Sequence, residues 1–201
     1  MKRLHVTLAA IVTVGLCGPA HAHSPLPGVG EFYNGMLHPL LVPAHALAIL
    51  GLALLFGQKA PNSSRLAMPA FAFALVMALA LPPAIAAPLP QAVLLGLVLA
   101  AGLVVAFSVD LGAVLPGLVG AAAGILIGLD VGHNAAADGL SWLGLAGTAT
   151  GAILAVVLLG GLAARIGCLW QGIPVRVLGS WTAASAFLVI ALSIAATGGQ
   201  G

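Results

Sequence analysis

The stretch YNGMLHPLLVPAHALAILGLALLFG, residues 33–57, decides the fold of this chain. It opens with polar residues, continues as a nearly unbroken apolar run, and carries two histidines, His38 and His45. A predominantly apolar run of about 20 residues is long enough to cross a membrane as a helix. The stretch therefore predicts a membrane-spanning helix with ionisable side chains, which are costly in lipid and mark functional sites by default.

The composition of the whole chain indicates an integral membrane protein. Of its 201 residues, 62% are hydrophobic and 5% are charged, whereas soluble domains have roughly 25% charged residues. The formal net charge of +2 is too small to indicate a nucleic-acid-binding surface or an acidic substrate.

The first residues have the pattern of a secretory signal. Lys2 and Arg3 precede an apolar run at residues 6–16, and an A-x-A cleavage sequence follows at residues 20–22. The apolar run is too short to span a membrane. We therefore expect a signal peptide at residues 1–22 and a single transmembrane domain at residues 23–201; the alternative is an uncleaved signal anchor.

Six apolar runs in the mature chain predict an all-α bundle of six transmembrane helices. The predicted spans are residues 37–57, 66–87, 90–109, 112–130, 141–163 and 177–197. The connections between them are short and leave no room for a soluble domain.

The positions of the basic residues predict the orientation in the membrane. If the mature amino terminus is outside, Lys59 and Arg65 fall in the first inner loop, and Arg165 and Arg176 fall in the third. This arrangement satisfies the positive-inside rule. We expect a bacterial inner-membrane protein with both termini in the periplasm and the histidine-bearing ends on the periplasmic side.

The spacing of His38 and His45 leaves two arrangements open. On a regular helix they share a face but lie about 10 Å apart along the axis, too far for both rings to bind one ion directly. Either Pro39 and Pro43 interrupt the helix and let the rings converge, or the histidines are successive stations along a path. A third reading is that His38 lies at the membrane interface and His45 donates a hydrogen bond between helices.

A second polar cluster follows the fourth apolar run. Asp130 precedes His133 by three residues and Asn134 by four, so a continuing helix would place them on one face. A carboxylate and an imidazole at this spacing can bind a transition metal, or the carboxylate can orient the imidazole. The alternative is an ordinary polar helix end followed by loop residues, including Asp138.

The side chains favour a particular class of metal. Imidazole with a little carboxylate suits nickel, cobalt, zinc or copper(II), whereas Mg²⁺ or Ca²⁺ would need more carboxylates than the chain has. No G-x-S-x-G, H-E-x-x-H or nucleotide-binding loop is present, so we do not expect an enzyme. The glycine repeats at Gly120, Gly124 and Gly128, and at Gly147 and Gly151, predict close helix packing that would let the first and fourth spans meet.

The segment at residues 32–50 resembles the HupE/UreJ family of bacterial membrane proteins, which typically reads F-x-x-G-x-x-H-P-L-x-G-x-D-H there. The agreeing residues are Phe32, Gly35, His38, Pro39, Leu40 and His45. Ala44 stands where the family usually has aspartate. A later family motif, two histidines four residues apart with an acid soon after, is loosely echoed by Asp130, His133 and Asp138, with Leu129 at the position of the earlier histidine. The resemblance implies a role in supplying nickel or cobalt to hydrogenase or urease.

These observations together predict a nickel permease, with cobalt as the second candidate, and no fixed cofactor. The predicted metal-binding residues are His38, His45, Asp130 and His133; the predicted outer or supporting residues are His23, Glu31, Asn134 and Asp138. The alternatives are a non-transporting accessory protein that docks maturation factors through residues 164–176, and a membrane metalloenzyme. The expected partners are the lipid bilayer, the metal ion and nickel-enzyme maturation factors, but not nucleic acid; the glycine-rich helices would also permit a homo-oligomer.

Overall fold

The regular structure in the described part of the chain is α-helical. The computed structural model describes residues 30–82, 91–135 and 140–198. Within these ranges there are seven helices and no strand. The helices are α1 (Glu31–Leu41), α2 (Pro43–Gln58), α3 (Ser64–Leu79), α4 (Gln91–Phe107), α5 (Val114–Ala135), α6 (Trp142–Leu169) and α7 (Ile173–Gly198). The predicted all-α class is confirmed for these residues, and the predicted signal peptide lies outside them.

Helices α1 and α2 form one apolar segment that is broken at Val42. The two helices are bent by 76° relative to one another. Val42 has extended dihedral angles, φ −83° and ψ 114°, because the ring of Pro43 disfavours the helical conformation of the residue before it. Pro43 then begins α2, where its missing N–H is no loss. Of the arrangements left open by the sequence, the structure has the interrupted helix, and it also has the hydrogen bond from His45 to another helix, at Asp130.

Three helices are long and apolar enough to cross a membrane: α5, α6 and the Ile173–Ala195 part of α7. The pair α1–α2 adds a fourth if it is counted as one broken span. Helices α3 and α4 are apolar but have 16 and 17 residues. The described residues thus hold three or four candidate spans, and the six-span bundle stays a prediction. Residues 83–87 of the second predicted span lie outside the described ranges.

The glycine repeat of α5 packs against α3. A methyl group on Gly124 would lie 2.6 Å from the carbonyl oxygen of Phe71, and one on Gly128 would lie 2.5 Å from Cβ of Ala78. Gly120 is similarly close to the backbone of α3. The prediction of a close contact is correct. The stripe packs mainly against the second predicted span, and Gly120 also reaches the first, where a Cβ atom would lie 3.1 Å from Cζ of Phe56.

A second glycine contact joins α1 to α6. A Cβ atom on Gly35 would overlap the backbone of Gly144, and one on Gly147 or Gly151 would overlap the backbone of α1. Such contacts exist only where both helices present small residues or bare backbone. The half-helix α1 is therefore held backbone to backbone against α6, and this contact sets the direction in which α1 leaves the break.

The two ends of the bundle carry different side chains. Gly57 packs against Gly160, which brings the carboxyl ends of α2 and α6 together. The Arg176 Nε donates to the carbonyl oxygen of Ala106 at 2.9 Å. This bond joins the end of α4 to the start of α7. The basic residues of the described chain all lie at or beside these helix ends: Lys59, Arg65, Arg165 and Arg176. His45 lies about 20 Å away along α2, at the opposite end.

Candidate metal centre

The break between α1 and α2 brings two histidine rings together. His38 lies in the last turn of α1 and His45 in the first turn of α2. Their ring centroids are 6.2 Å apart, with the ring planes inclined at 56°. A straight helix would separate the two residues by about 10 Å along its axis. The 76° bend therefore produces the approach.

His45 joins α2 to α5 through a carboxylate. Its Nε2 lies 2.9 Å from Oδ2 of Asp130. The His45 residue is 1% exposed, whereas the Asp130 side chain is 31% exposed. The imidazole is thus enclosed by protein, while the carboxylate that holds it still reaches the surface. The first and fourth predicted spans meet at this pair.

The hydrogen bond to Asp130 determines which His45 nitrogen is available. A carboxylate can only accept, so Nε2 must carry the proton that is shared between them. In a neutral ring, Nδ1 then holds the lone pair, which is the form that binds a metal. Nδ1 is buried and has no hydrogen-bond partner in the described part of the chain. Burying a polar atom without a partner is unfavourable, so this nitrogen is the atom of the site that most needs a ligand.

Thr148 of α6 supports the start of the broken helix. Pro39 has no N–H, so the carbonyl oxygen of Gly35, four residues earlier, lacks its helical donor. The Thr148 hydroxyl lies 3.1 Å from that oxygen and is buried. A side chain of a neighbouring helix thus supplies the donor that the proline removed, and it fixes α1 close to His38.

The other predicted residues that the structure describes lie near the ends of α5 and α1. His133 and Asn134 are exposed in the last turn of α5. The Asn134 Nδ2 donates to the backbone oxygen of Asp130 at 2.8 Å, so it stabilises the helix end instead of the carboxylate. Glu31 is exposed and accepts a hydrogen bond from Ser141. The other two predicted residues, His23 and Asp138, lie outside the described residues.

The two imidazole rings at the break are close enough to share one ion, and the Asp130 carboxylate is bonded to the second of them, His45. Metal–nitrogen distances near 2 Å put the centroids of two rings on one ion at most about 6.5 Å apart, and the observed 6.2 Å is within that limit. In residues 30–82, 91–135 and 140–198, no group of three or more His, Cys, Asp or Glu side chains is arranged to hold a metal ion. Chemically, the arrangement offers one buried imidazole nitrogen with a second ring close by.

Comparison with known proteins identifies the family. The sequence model of the HupE / UreJ protein family matches residues 10–189, which is most of the chain. The chain belongs to the HupE/UreJ family. This family is linked to nickel or cobalt transport, or to an accessory role for urease or hydrogenase. Comparisons with curated proteins and with solved structures gave no significant match.

One departure of this HupE/UreJ protein from the family pattern has a structural counterpart. Ala44, at the position where the family usually has aspartate, is 3% exposed. Ala44 is therefore a buried apolar residue, directly before His45 in α2. The carboxylate that reaches His45 comes from another helix, as Asp130 of α5.

Sequence reasoning missed two residues that position the site of this HupE/UreJ protein. Thr148 was not a candidate, although a proline four residues after Gly35 indicates a carbonyl that needs an outside donor. Ser141 is the N-cap of α6 and donates a hydrogen bond to Glu31 at the start of α1. A serine directly before an apolar helix is a recognisable N-cap signal.

Proposed function

We propose that this HupE/UreJ protein is a permease that admits a divalent transition-metal cation to the cytoplasm from the periplasm, nickel first and cobalt second. His38, His45 and Asp130 form the transfer site. His133, with Glu31 and His23, receives the hydrated ion on the outer side. Water completes the coordination while the ion is at the transfer site. The protein carries no catalytic role in this proposal.

The observation that carries the proposal is the unpartnered Nδ1 of the buried His45. Its ring is held by Asp130 in the orientation that leaves this nitrogen free, and the His38 ring is 6.2 Å away. A carboxylate that orients an imidazole is the usual support for a metal-binding histidine. Histidine also suits transfer, because protonation of its neutral ring releases the ion.

The proposed direction follows from the two ends of the bundle. Basic residues flank the helices at one end, and cytoplasmic loops carry the excess of Lys and Arg. The histidine pair and the Asp130 carboxylate lie at the other end, which is then periplasmic. A cation that enters beside Asp130 can be driven inward by the membrane potential, which supplies about 2.3 kcal/mol per elementary charge for each 100 mV.

Uptake of radiolabelled nickel by cells that produce the protein tests this proposal. The variant His45→Gln keeps an N–H that can reach Asp130 but lacks the Nδ1 atom. We expect it to lower the initial uptake rate at least about tenfold, the effect of a lost or misoriented metal ligand. Thr150→Val is the matched control, because Thr150 is exposed and its hydroxyl bonds only the carbonyl of Ala146 within the same helix.

The uptake rates of the wild type and the variants are compared at equal amounts of protein in the membrane. Nickel uptake by His45→Gln at the wild-type rate would contradict the permease. If that result came with loss of hydrogenase or urease maturation in a variant of residues 164–176, the accessory role would be favoured. Stoichiometric metal that stays bound through purification would instead favour a fixed metal centre.

A further inference from the structure

An open cavity lies at the basic end of the bundle, beside Arg176. It has a volume of about 250 Å³. Its lining residues are Ala106, Ile173, Arg176, Val177 and Ser180. The cavity therefore lies between the carboxyl end of α4 and the first turns of α7, and none of its lining residues belongs to the proposed transfer site.

The cavity combines a fixed positive charge with apolar walls. The Arg176 Nε donates to the carbonyl oxygen of Ala106 at 2.9 Å, which uses one of the five guanidinium donors. No carboxylate of the described residues forms a salt bridge with this arginine. The guanidinium is thus held in place, with its remaining donors available for an anion. Ile173 and Val177 are 61% and 43% exposed and supply apolar surface beside it.

We infer that this cavity binds the headgroup of an anionic phospholipid. A planar guanidinium binds a phosphate with two parallel hydrogen bonds, and basic pockets between membrane helices on the cytoplasmic side suit such headgroups. Arg176 is in the first turn of α7, whose partly positive end favours an anion; the carboxyl end of α4 on the other side is partly negative, but its Ala106 carbonyl is paired with Arg176.

A lipid fits the surroundings better than a soluble phosphate does. The exposed surface of α7 continues with Trp181 and Leu188, which are 67% and 58% exposed. Tryptophan at such a position is typical of the membrane–water interface. The phosphate would lie at Arg176, and the glycerol and the start of the acyl chains would lie against Ile173 and Val177. This inference does not depend on which ion, if any, the protein transports.

The test measures how lipid stabilises the purified full chain. The melting temperature in mild detergent is recorded with added phosphatidylglycerol, with phosphatidylcholine, and with inorganic phosphate. We expect phosphatidylglycerol to raise the melting temperature above the value in phosphatidylcholine. Inorganic phosphate at millimolar concentration should give no comparable rise. An equal rise with inorganic phosphate would overturn the lipid as the occupant.

Three variants assign the effect to the cavity. Arg176→Gln should weaken phosphatidylglycerol binding at least about tenfold, the loss expected for a charge-assisted pair. Ser180→Trp should have a similar effect because it fills the cavity from an exposed position while the bond between Arg176 and Ala106 is kept. Arg165→Gln is the matched control, because Arg165 is exposed at the same end but does not line the cavity.

Selectivity is the rise in melting temperature with phosphatidylglycerol above that with phosphatidylcholine. Loss of this selectivity in Arg176→Gln and in Ser180→Trp, while Arg165→Gln keeps it, supports the site. Selectivity that survives in Ser180→Trp overturns it, even if Arg176→Gln is unstable. A loss in Arg165→Gln equal to that in Arg176→Gln overturns it as well, because it would show a general effect of charge and not a defined cavity.

Discussion

Replacing Thr148 with valine tests how the broken helix is held in place. The Gly35 carbonyl has no helical donor because residue 39 is proline, and the Thr148 hydroxyl lies 3.1 Å from it. Valine has nearly the same shape as threonine but cannot donate a hydrogen bond. We expect Thr148→Val to lower the free energy of unfolding by leaving that carbonyl without a partner.

The size of the loss follows from burial and from the membrane setting. Thr148 is 0% exposed, and a buried acceptor left without a donor costs about 1–3 kcal/mol. Hydrogen bonds between membrane helices average about 0.6 kcal/mol and reach about 1.7. We therefore expect a loss of about 1–1.7 kcal/mol. The same hydroxyl is 3.1 Å from the Gly144 carbonyl, but that oxygen keeps the backbone N–H of residue 148 as a helical donor.

The variants Thr150→Val and Pro39→Ala show whether the loss of stability comes from the Gly35 carbonyl. Thr150 is exposed and bonds a carbonyl that also has a backbone donor, so its replacement should change stability by less than about 0.5 kcal/mol. Pro39→Ala returns an N–H to the position that can reach Gly35. In that background, Thr148→Val should cost no more than the control. Reversible unfolding in mixed micelles, followed by circular dichroism, gives all the values for the double-mutant cycle.

Two results would refute this reasoning. One is a loss in Thr148→Val that equals the loss in Thr150→Val. The other is a loss that stays the same in the Pro39→Ala background, because the hydroxyl would then stabilise something other than the Gly35 carbonyl.

Two further predictions concern the α1–α6 contact and the carboxylate. Gly147→Ala should destabilise the protein by about 1–3 kcal/mol in thermal unfolding, because a Cβ there would overlap the Phe32 carbonyl oxygen. Gly161 has no neighbour within 4 Å, so the control Gly161→Ala should be neutral or stabilising. Equal effects of the two variants would contradict the close contact. Asp130→Asn should lower nickel affinity about 10- to 100-fold in titration calorimetry, because the amide no longer fixes the His45 tautomer, and unchanged affinity would show that the carboxylate has no such role.

The membrane class and the family could be predicted from the sequence because they depend on local patterns. Apolar runs of the required length are visible without any knowledge of packing, and the segment from Phe32 to His45 carries the family pattern in contiguous residues. The family prediction is confirmed. The prolines at 39 and 43 made an interrupted helix one of the arrangements that the sequence left open, since each removes a backbone donor.

The geometry of the site could not be predicted, because it depends on which helices become neighbours. The sequence left open whether the histidine rings converge, and the answer depends on the 76° bend at Val42. The Gly120 repeat indicated a close contact but not its main partner, which is α3; Gly120 itself also lies against the Phe56 ring of α2. The role of Thr148 needs the knowledge that α6 lies beside α1. That the predicted residues bind metal stays a prediction.

The break at Val42 also places partial charges of the main chain close to His45, without any ionised side chain. It creates two helix ends close to His45: the carboxyl end of α1 and the amino end of α2. Unpaired carbonyl oxygens make the first of these partly negative, and unpaired N–H groups make the second partly positive. A cation that arrives at the break is thus drawn toward α1 and repelled by α2. The main chain itself gives the break a polarity, and a change of side chain that keeps the break would leave this polarity intact.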